Sequence, residues 1–233
     1  MAHPLLSAPS HELKSHIAST YNAIAPQYNA WTASHHDFRL DYLNRLLPHL
    51  PSSGARILEL GAGAGDPGTA LLASLPGAHI VANDISGAQL SLLRTRLASA
   101  ISASKVETRE GDMMGLAFAD GELDVVVGLY SIIHLPREEQ RELLRRIGKW
   151  VRGGGWLLVN FSGKEIDGSV QMGWLEEQHE GNESQNAMYW SSWSPAESKC
   201  LVQEAGFRIE VEEISGEEGP DTDFLWVLAQ KVE

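Results

Sequence analysis

The chain has 233 residues, 43% of them hydrophobic and 21% charged, and a formal charge of −13. That length suits one α/β domain with a small cap, burying roughly 70% of its unfolded surface. The acidic balance argues against nucleic acid as a partner, because binding a phosphate backbone needs a clustered basic face. The densest basic run, Arg137 to Lys149, is interleaved with Glu138, Glu139 and Glu142 and reads as a solvated helix face. A single cysteine rules out an internal disulfide and fits a reducing compartment. That residue, Cys200, falls in a helical pattern with Ala196, Leu201 and Ala205, which predicts a core thiol. No apolar run approaches the ~20 residues of a membrane span. The first residues show no signal-peptide core, so the chain reads as cytoplasmic and away from membranes.

In chain order, residues 1–50 read as a helical prelude. Tyr21 and Tyr28 lie seven apart there, so a helix puts both on one face, with a bend expected at Pro26. A strand follows at Arg56 to Leu60, then a glycine loop and a helix over Thr69 to Leu75. Ala78 to Ala82 is the second strand, ending at Asn83-Asp84, with a helix over Ala88 to Ser102. Lys105 to Arg109 is the third, ending at Glu110-Gly111-Asp112. Leu123 to Val127 is the fourth, ending at Gly128. A helix over Arg137 to Val151 leads to Gly153-Gly154-Gly155 and the fifth strand, Trp156 to Phe161. Near-continuous apolar strands alternating with helices predict a parallel, doubly wound sheet covered on both faces.

The alternation then changes. Residues 162–194 read as polar and irregular, yet carry Met172, Trp174, Met188, Tyr189, Trp190 and Trp193. A helix from Pro195 to Ala205 ends at Gly206, a C-cap glycine. Phe207 to Ile214 and Phe224 to Ala229 are joined by a short turn-rich spacer and should pair as an antiparallel hairpin.

The loop after the first strand allows two readings. Glu59-Leu60-Gly61-Ala62-Gly63-Ala64-Gly65 is a strand running into G-x-G-x-G. Two residues on, Gly63 to Gly68 spells G-x-G-x-x-G, the fingerprint of a dinucleotide pyrophosphate site. Context separates them. Glu59, two residues before the first glycine, would repel a pyrophosphate and suit an ammonium group. Asp84 ends the second strand, placed for ribose hydroxyls under either reading. Asp112 ends the third, placed for an adenine amino group with Met113 against the ring. All lie at the carboxyl ends of strands, where open α/β sheets bind ligands.

This ordered set resembles the class I S-adenosylmethionine-dependent methyltransferases, over about residues 15–161. The matching pieces are E-L-G-x-G-x-G, N-D-I-S, E-G-D-M, Leu129-Tyr130-Ser131-Ile132-Ile133-His134-Leu135-Pro136 and the triple glycine. The ending FLWVLAQK looks like that family's reversed seventh strand. The resemblance implies an α/β fold, a Rossmann-like, doubly wound, seven-stranded sheet, mostly parallel with a reversed last strand, plus a small helical cap. It implies S-adenosyl-L-methionine as methyl donor, and S-adenosyl-L-homocysteine as its product. It places Glu59, Gly61, Ala62 and Gly63 near the methionine end of the donor. Asp84 would then hold the ribose, Ile85, Asp112 and Met113 the adenine, and Leu129 and Tyr130 the region after the fourth strand. Tyr21 to Trp31 resembles the Y-D-x-x-A-x-x-Y-D lid of small-molecule methyltransferases, with asparagine (Asn22, Asn29) in place of both aspartates. Tyr21 and Tyr28 would close over the donor. Read as one 1–233 domain, the chain divides into a 1–50 lid, a 51–161 donor-binding core, a 162–194 acceptor insert and a 195–233 C-terminal helix and hairpin.

Methyl transfer from a sulfonium is an in-line displacement, and much of the protein's task is alignment. A general base is needed only where the acceptor must lose a proton. His134 and Tyr130, after the fourth strand, are the catalytic candidates; His35, His36 and His179 are further candidate bases. Packing or helix capping is the competing reading for His134. No metal site is expected. The Trp- and Met-rich insert reads as one wall of an apolar acceptor pocket, or as rings holding a cationic amine. The expected partner is a small-molecule acceptor methylated at oxygen or nitrogen, with no nucleic acid and no membrane, by a monomer or homodimer. Two alternatives stay open: a nicotinamide-dependent oxidoreductase, and a donor-binding protein of this fold that does not methylate.

Overall fold

The computed structural model describes residues 3–33, 36–52, 54–175, 186–216 and 223–233. Its main sheet has seven strands in the order β3-β2-β1-β4-β5-β9-β8. These are β1 (Arg56–Leu60), β2 (His79–Asp84), β3 (Val106–Glu110), β4 (Leu123–Gly128), β5 (Val151–Ser162), β8 (Phe207–Gly216) and β9 (Asp223–Lys231). The pairs among β1 to β5 are parallel. Only β9, wedged between β5 and β8, runs antiparallel to its neighbours. The seven-stranded sheet with a reversed last strand is thus as expected.

Period-2 alternation sends successive apolar residues to opposite faces. Leu58, Val126, Leu157, Val159 and Val227 face α6 (Arg137–Trp150) and α7 (Pro195–Glu204), which present Leu143, Leu144, Ile147, Leu201 and Val202. Ile57, Val125, Val127, Leu158 and Trp226 face Tyr42, Leu43, Leu46, Leu72, Leu90 and Leu93. Those come from α2 (His36–Leu46), α3 (Gly68–Ala73) and α4 (Gly87–Arg96). On α6 the expected solvated face forms, with Arg141–Glu138 and Arg145–Glu142 pairs one turn apart at 3.0 and 2.7 Å.

Several boundaries differ from the sequence reading. The helix expected over Ala88 to Ser102 is two, α4 and α5 (Ala98–Ser102), divided at Leu97. β5 begins at Val151, before the triple glycine, because Leu123 pairs with Val151 and a register shift absorbs the extra residues. Cys200 is exposed rather than buried. The inward stripe of α7 is Ser198, Leu201 and Val202, and position 200 lies off it.

The largest difference is the insert. Its described part forms a two-stranded antiparallel ribbon, β6 (Ile166–Met172) and β7 (Ala187–Ser192). The cap is therefore helix plus ribbon, not helical alone. A bulge between Ile166 and Ser169, with Gly168 at φ 114°, blurs the alternation that would have announced a strand. The ribbon is held by α1 (Ser10–Ala33), which runs unbroken through Pro26. The Thr20 hydroxyl donates to the Ala187 carbonyl and accepts from the Ala187 N–H, both at 3.1 Å. Leu13 and Ile17 of α1 pack with Met188 and Tyr189 of β7.

Candidate functional site

One cavity lies at the carboxyl ends of β1 to β4, roofed by α1 and α2. It encloses about 1020 Å³, counted out to solvent. Tyr21, Tyr28, Glu59, Gly61, Ala62, Gly63, Asp84, Ile85, Asp112, Met113, Leu129, Tyr130 and His134 all line it. The strand ends and α1 thus bring together the donor-site and catalytic candidates named above, but only one of the four histidines, and none of Met172, Trp174, Met188, Tyr189, Trp190 and Trp193, so the described part of the insert does not line this cavity as expected. His36 lies beside Asp66, 4.0 Å away, outside the lining. His35 and His179 fall outside the described residues.

The glycine loop is built for close approach. Gly61 and Gly63 sit at φ 69° and 56°, where a side chain is strained. A Cβ at Gly61 would strike Ser131 of the β4 loop. Asp84 fixes the far side, accepting from the Gly63 and Ser86 amides, each at 2.8 Å. Burial nevertheless pushes its carboxyl up to about 6.

Glu59 decides between the two readings of the loop. Its side chain turns under the start of α3, where it accepts from the Thr69 hydroxyl at 2.6 Å. A Cβ on Gly68 would run into the Glu59 carboxylate. The place where a G-x-G-x-x-G loop would seat a phosphate, at the helix start, is thus held by a carboxylate. Gly68, the third glycine of the shifted motif, is there to admit Glu59. Asp66 gives α3 no side-chain cap; it faces Arg96 at 3.7 Å. Burial pushes the Glu59 carboxyl up to about 7, against the pull of the Thr69 hydrogen bond and the Arg39 charge.

Sequence reading missed five contributors. Lys14 of α1 sits 2.6 Å from Asp112 and 2.5 Å from Glu139, tying the cap to the third strand end. The other Asp112 oxygen accepts from the Met114 amide at 2.9 Å. Asn22 accepts from the Ser86 hydroxyl and the Ala88 amide at 2.7 and 3.0 Å, so the asparagine at this position docks α1 on α4. Arg39 lies over the Tyr130 ring at 4.8 Å, and its charge opposes the rise of the Tyr28 phenol. Gln89 is 1% exposed, lines the cavity, and has neither amide atom partnered. Thr69 supports Glu59. A polar or charged residue on an apolar helix face was the available signal for Lys14 and Gln89; the others had none.

Tyr130 occupies φ 56°, held by the Asn160 side-chain oxygen, which accepts its amide at 2.6 Å. Its ring packs edge-on against Phe224 and Trp226. His134 does not cap α6, which has no side-chain cap. Its Nδ1 is 2.8 Å from the Tyr189 carbonyl and its Nε2 is 2.9 Å from the Tyr21 hydroxyl. Burial pulls its pKa down to about 4, so the ring is neutral at pH 7. Burial also raises the Tyr21 and Tyr28 phenols. Around them Trp31, Trp174 and Trp190 pack ring on ring, 5.5 to 6.0 Å apart. Trp193 stands apart: it donates to the Arg137 carbonyl at 3.1 Å, with Arg141 4.7 Å from its ring.

Comparison with known proteins agrees on the central segment. A family model described as a methyltransferase domain matches residues 57–155. Over that segment the chain resembles a methyltransferase domain. The chain is 39% identical over 115 residues to a demethylmenaquinone methyltransferase of Clavibacter sepedonicus, covering 48% of this chain and 43% of the relative. It is 32% identical over 108 residues to the methyltransferase GfsG of Streptomyces halstedii, covering 46% and 38%. The match thus spans about two fifths of each relative's length. Among solved structures, the chain resembles the Burkholderia thailandensis 1,6-didemethyltoxoflavin-N1-methyltransferase. The TM-score is 0.73 at 15% identity, over 100% of this chain and 94% of that one. The [4+2]-cyclase SpnF gives 0.68 at 15% identity, over 93% and 95%. At such identities these likenesses show the fold alone. Among the described residues no group of three or more His, Cys, Asp or Glu could hold a metal ion, and no helix is long and apolar enough to cross a membrane.

Proposed function

We propose that the protein transfers a methyl group from S-adenosylmethionine to an oxygen or nitrogen atom of a small-molecule acceptor. The observation that carries this is the Glu59 carboxylate at the start of α3. It bars a pyrophosphate and offers an anion to an ammonium group. The cavity supplies the complementary set. Asp84, held by two amides, faces the ribose, and Gln89 beside it has a whole buried carboxamide to offer. An unpartnered buried amide costs about 1–3 kcal/mol, which a ligand hydroxyl would remove. Asp112, Ile85 and Met113 take the adenine, with Lys14 joining that end to the cap. Arg39, beside Glu59, is the counter-charge for the methionine carboxylate. Leu129 lines the donor, with Tyr130 as a positioning ring beneath Arg39.

S-adenosylmethionine supplies an activated methyl on a sulfonium. The chain's own part is to orient the acceptor, and to exclude water with Tyr21 and Tyr28 of α1. The acceptor is a small molecule admitted past the aromatic wall of Tyr28, Trp31 and Trp174. The protein acts in the cytoplasm as a monomer or homodimer, without nucleic acid or membrane. Calorimetry with S-adenosylhomocysteine and NADH tests the reading. Binding of the first and not the second is expected; the reverse would overturn it.

A further inference from the structure

We infer that the acceptor is a neutral primary or secondary amine, whose N–H is held by the phenol oxygen of Tyr21. The inference rests on the methyl-transfer reading above and narrows it. It begins at the Tyr189 carbonyl, which can only accept. The 2.8 Å contact therefore places a hydrogen on His134 Nδ1. A neutral imidazole then has a bare Nε2, and the Tyr21 hydroxyl 2.9 Å away must donate to it. Tyr21 has one hydroxyl hydrogen, and it is committed. Tyr28, whose ring is 5.2 Å away, interacts with the same phenol oxygen and can take one of its two lone pairs, so what Tyr21 offers the cavity is the other lone pair and no hydrogen. A group with no hydrogen of its own, such as an ether or a tertiary amine, meets lone pair with lone pair there. A group bearing X–H is oriented.

The choice between O–H and N–H follows from where a proton could go. A neutral hydroxyl is a weak nucleophile and has to shed its proton near the transition state. The chain Tyr21 to His134 ends at Nε2, and protonating it creates a buried imidazolium. That ring lies 4.4 Å from the Trp190 ring and 5.6 Å from the Tyr21 ring, and is bonded to a phenol and a carbonyl rather than a carboxylate. Desolvation opposes that charge. An amine needs no such sink. Its nitrogen lone pair forms the new C–N bond while the C–S bond breaks, and that electron pair returns to sulfur as a neutral thioether. The positive charge passes to nitrogen with its hydrogen still on it, and the proton leaves to water after release. Tyr21 and Tyr28, the aromatic rings of α1 that line the cavity, suit the cation that forms.

Three matched pairs serve as probes: benzylamine with benzyl alcohol, phenethylamine with 2-phenylethanol, and tryptamine with tryptophol. With S-adenosylmethionine, methylated product is expected from amines and not from their alcohols. Tyr21→Phe keeps the ring but not the acceptor oxygen. It should lower amine kcat/KM by roughly 3- to 10-fold, with affinity for S-adenosylhomocysteine within about twofold. Independently of any acceptor, nitrogen NMR of ¹⁵N-histidine-labelled protein at pH 7 should show His134 protonated at Nδ1 alone, and its Nε2 signal should move in Tyr21→Phe. Alcohol methylation, no amine methylated, or a hydrogen on Nε2 would each overturn the inference. If S-adenosylhomocysteine does not bind the wild-type protein, the methyl-transfer reading itself has failed.

Discussion

The two halves of the cavity are made in different ways. Of the halves proposed above for donor and acceptor, the donor half is made of strand ends: Glu59, Asp84, Asp112 and Tyr130 each lie at the end of one of four adjacent parallel strands or in the turn just beyond it. Their positions follow from the sheet, and their partners are near in sequence, as with Thr69 ten residues from Glu59. The acceptor half joins pieces far apart in the chain. Tyr21 meets His134 across 113 residues, and Thr20 meets Ala187 across 167. One half is fixed by topology, and the other depends on how α1 and the β6–β7 ribbon dock. Substitutions in the first should change donor affinity. Substitutions in the second should leave it alone.

The largest effect is expected at Asp84. Asp84→Ala removes a charged acceptor worth about 1.5–3 kcal/mol, so affinity for S-adenosylhomocysteine should fall roughly 10- to 150-fold. The variant also frees the Gly63 amide, loosening the loop. Unchanged calorimetric affinity would remove Asp84 from the donor half.

Next comes a pH effect. The proposed pairing of the donor ammonium with Glu59 needs that carboxyl ionised, yet burial pushes it up to about 7. A raised acid is mostly protonated below its own pKa, so binding must expel that proton. Affinity should therefore weaken as pH falls below 7, by up to about tenfold per unit. Asp84, near 6, steepens the decline at its lower end. Glu59→Gln should be weaker at pH 8 and flatter between 8 and 6. Equal wild-type affinity at pH 6 and 8 would contradict the pairing.

The same contrast explains what the sequence made legible. The parallel strands and the antiparallel final hairpin follow from apolar runs ending in glycine or an acid and from a short turn-rich spacer, signals that are local, while the reversed β9 and the lining of the donor half were implied by the family resemblance. Gln89 and Arg39 lack such a signal, since a polar residue on a helix declares its target only once the helix is placed. The ribbon was hidden for a related reason. The burial of Met188 and Tyr189 comes from α1, not from a sheet face. Cys200 was misplaced because a helical period gives the spacing of a stripe but not its phase.

A smaller effect should separate function from stability inside the donor half. The Gln89 carboxamide has no hydrogen-bond partner among the described residues, so Gln89→Met should leave Tm unchanged or raise it. If the carboxamide serves the ribose, affinity for S-adenosylhomocysteine should fall about 3- to 10-fold, from a hydrogen bond worth roughly 0.5–1.5 kcal/mol. A drop in Tm with unchanged affinity would make Gln89 a structural residue.

The smallest effect on donor affinity, within about twofold, is expected at Thr20, where the acceptor half is joined. Thr20→Val keeps the shape of the side chain and removes the hydroxyl that serves both the N–H and the carbonyl of Ala187. Both groups stay buried, so the ribbon should lose about 1 kcal/mol of local stability. Hydrogen exchange at the Ala187 amide reads this directly and should speed up several-fold. The loosening travels one step further. Ala187 leads into Tyr189, whose carbonyl fixes the His134 tautomer, and His134 in turn holds the Tyr21 hydroxyl. Amine KM should therefore rise while S-adenosylhomocysteine binds as before. Parallel loss of donor affinity would mean that the two halves are one cooperative unit, and that the cap helps to form the donor half rather than only covering it.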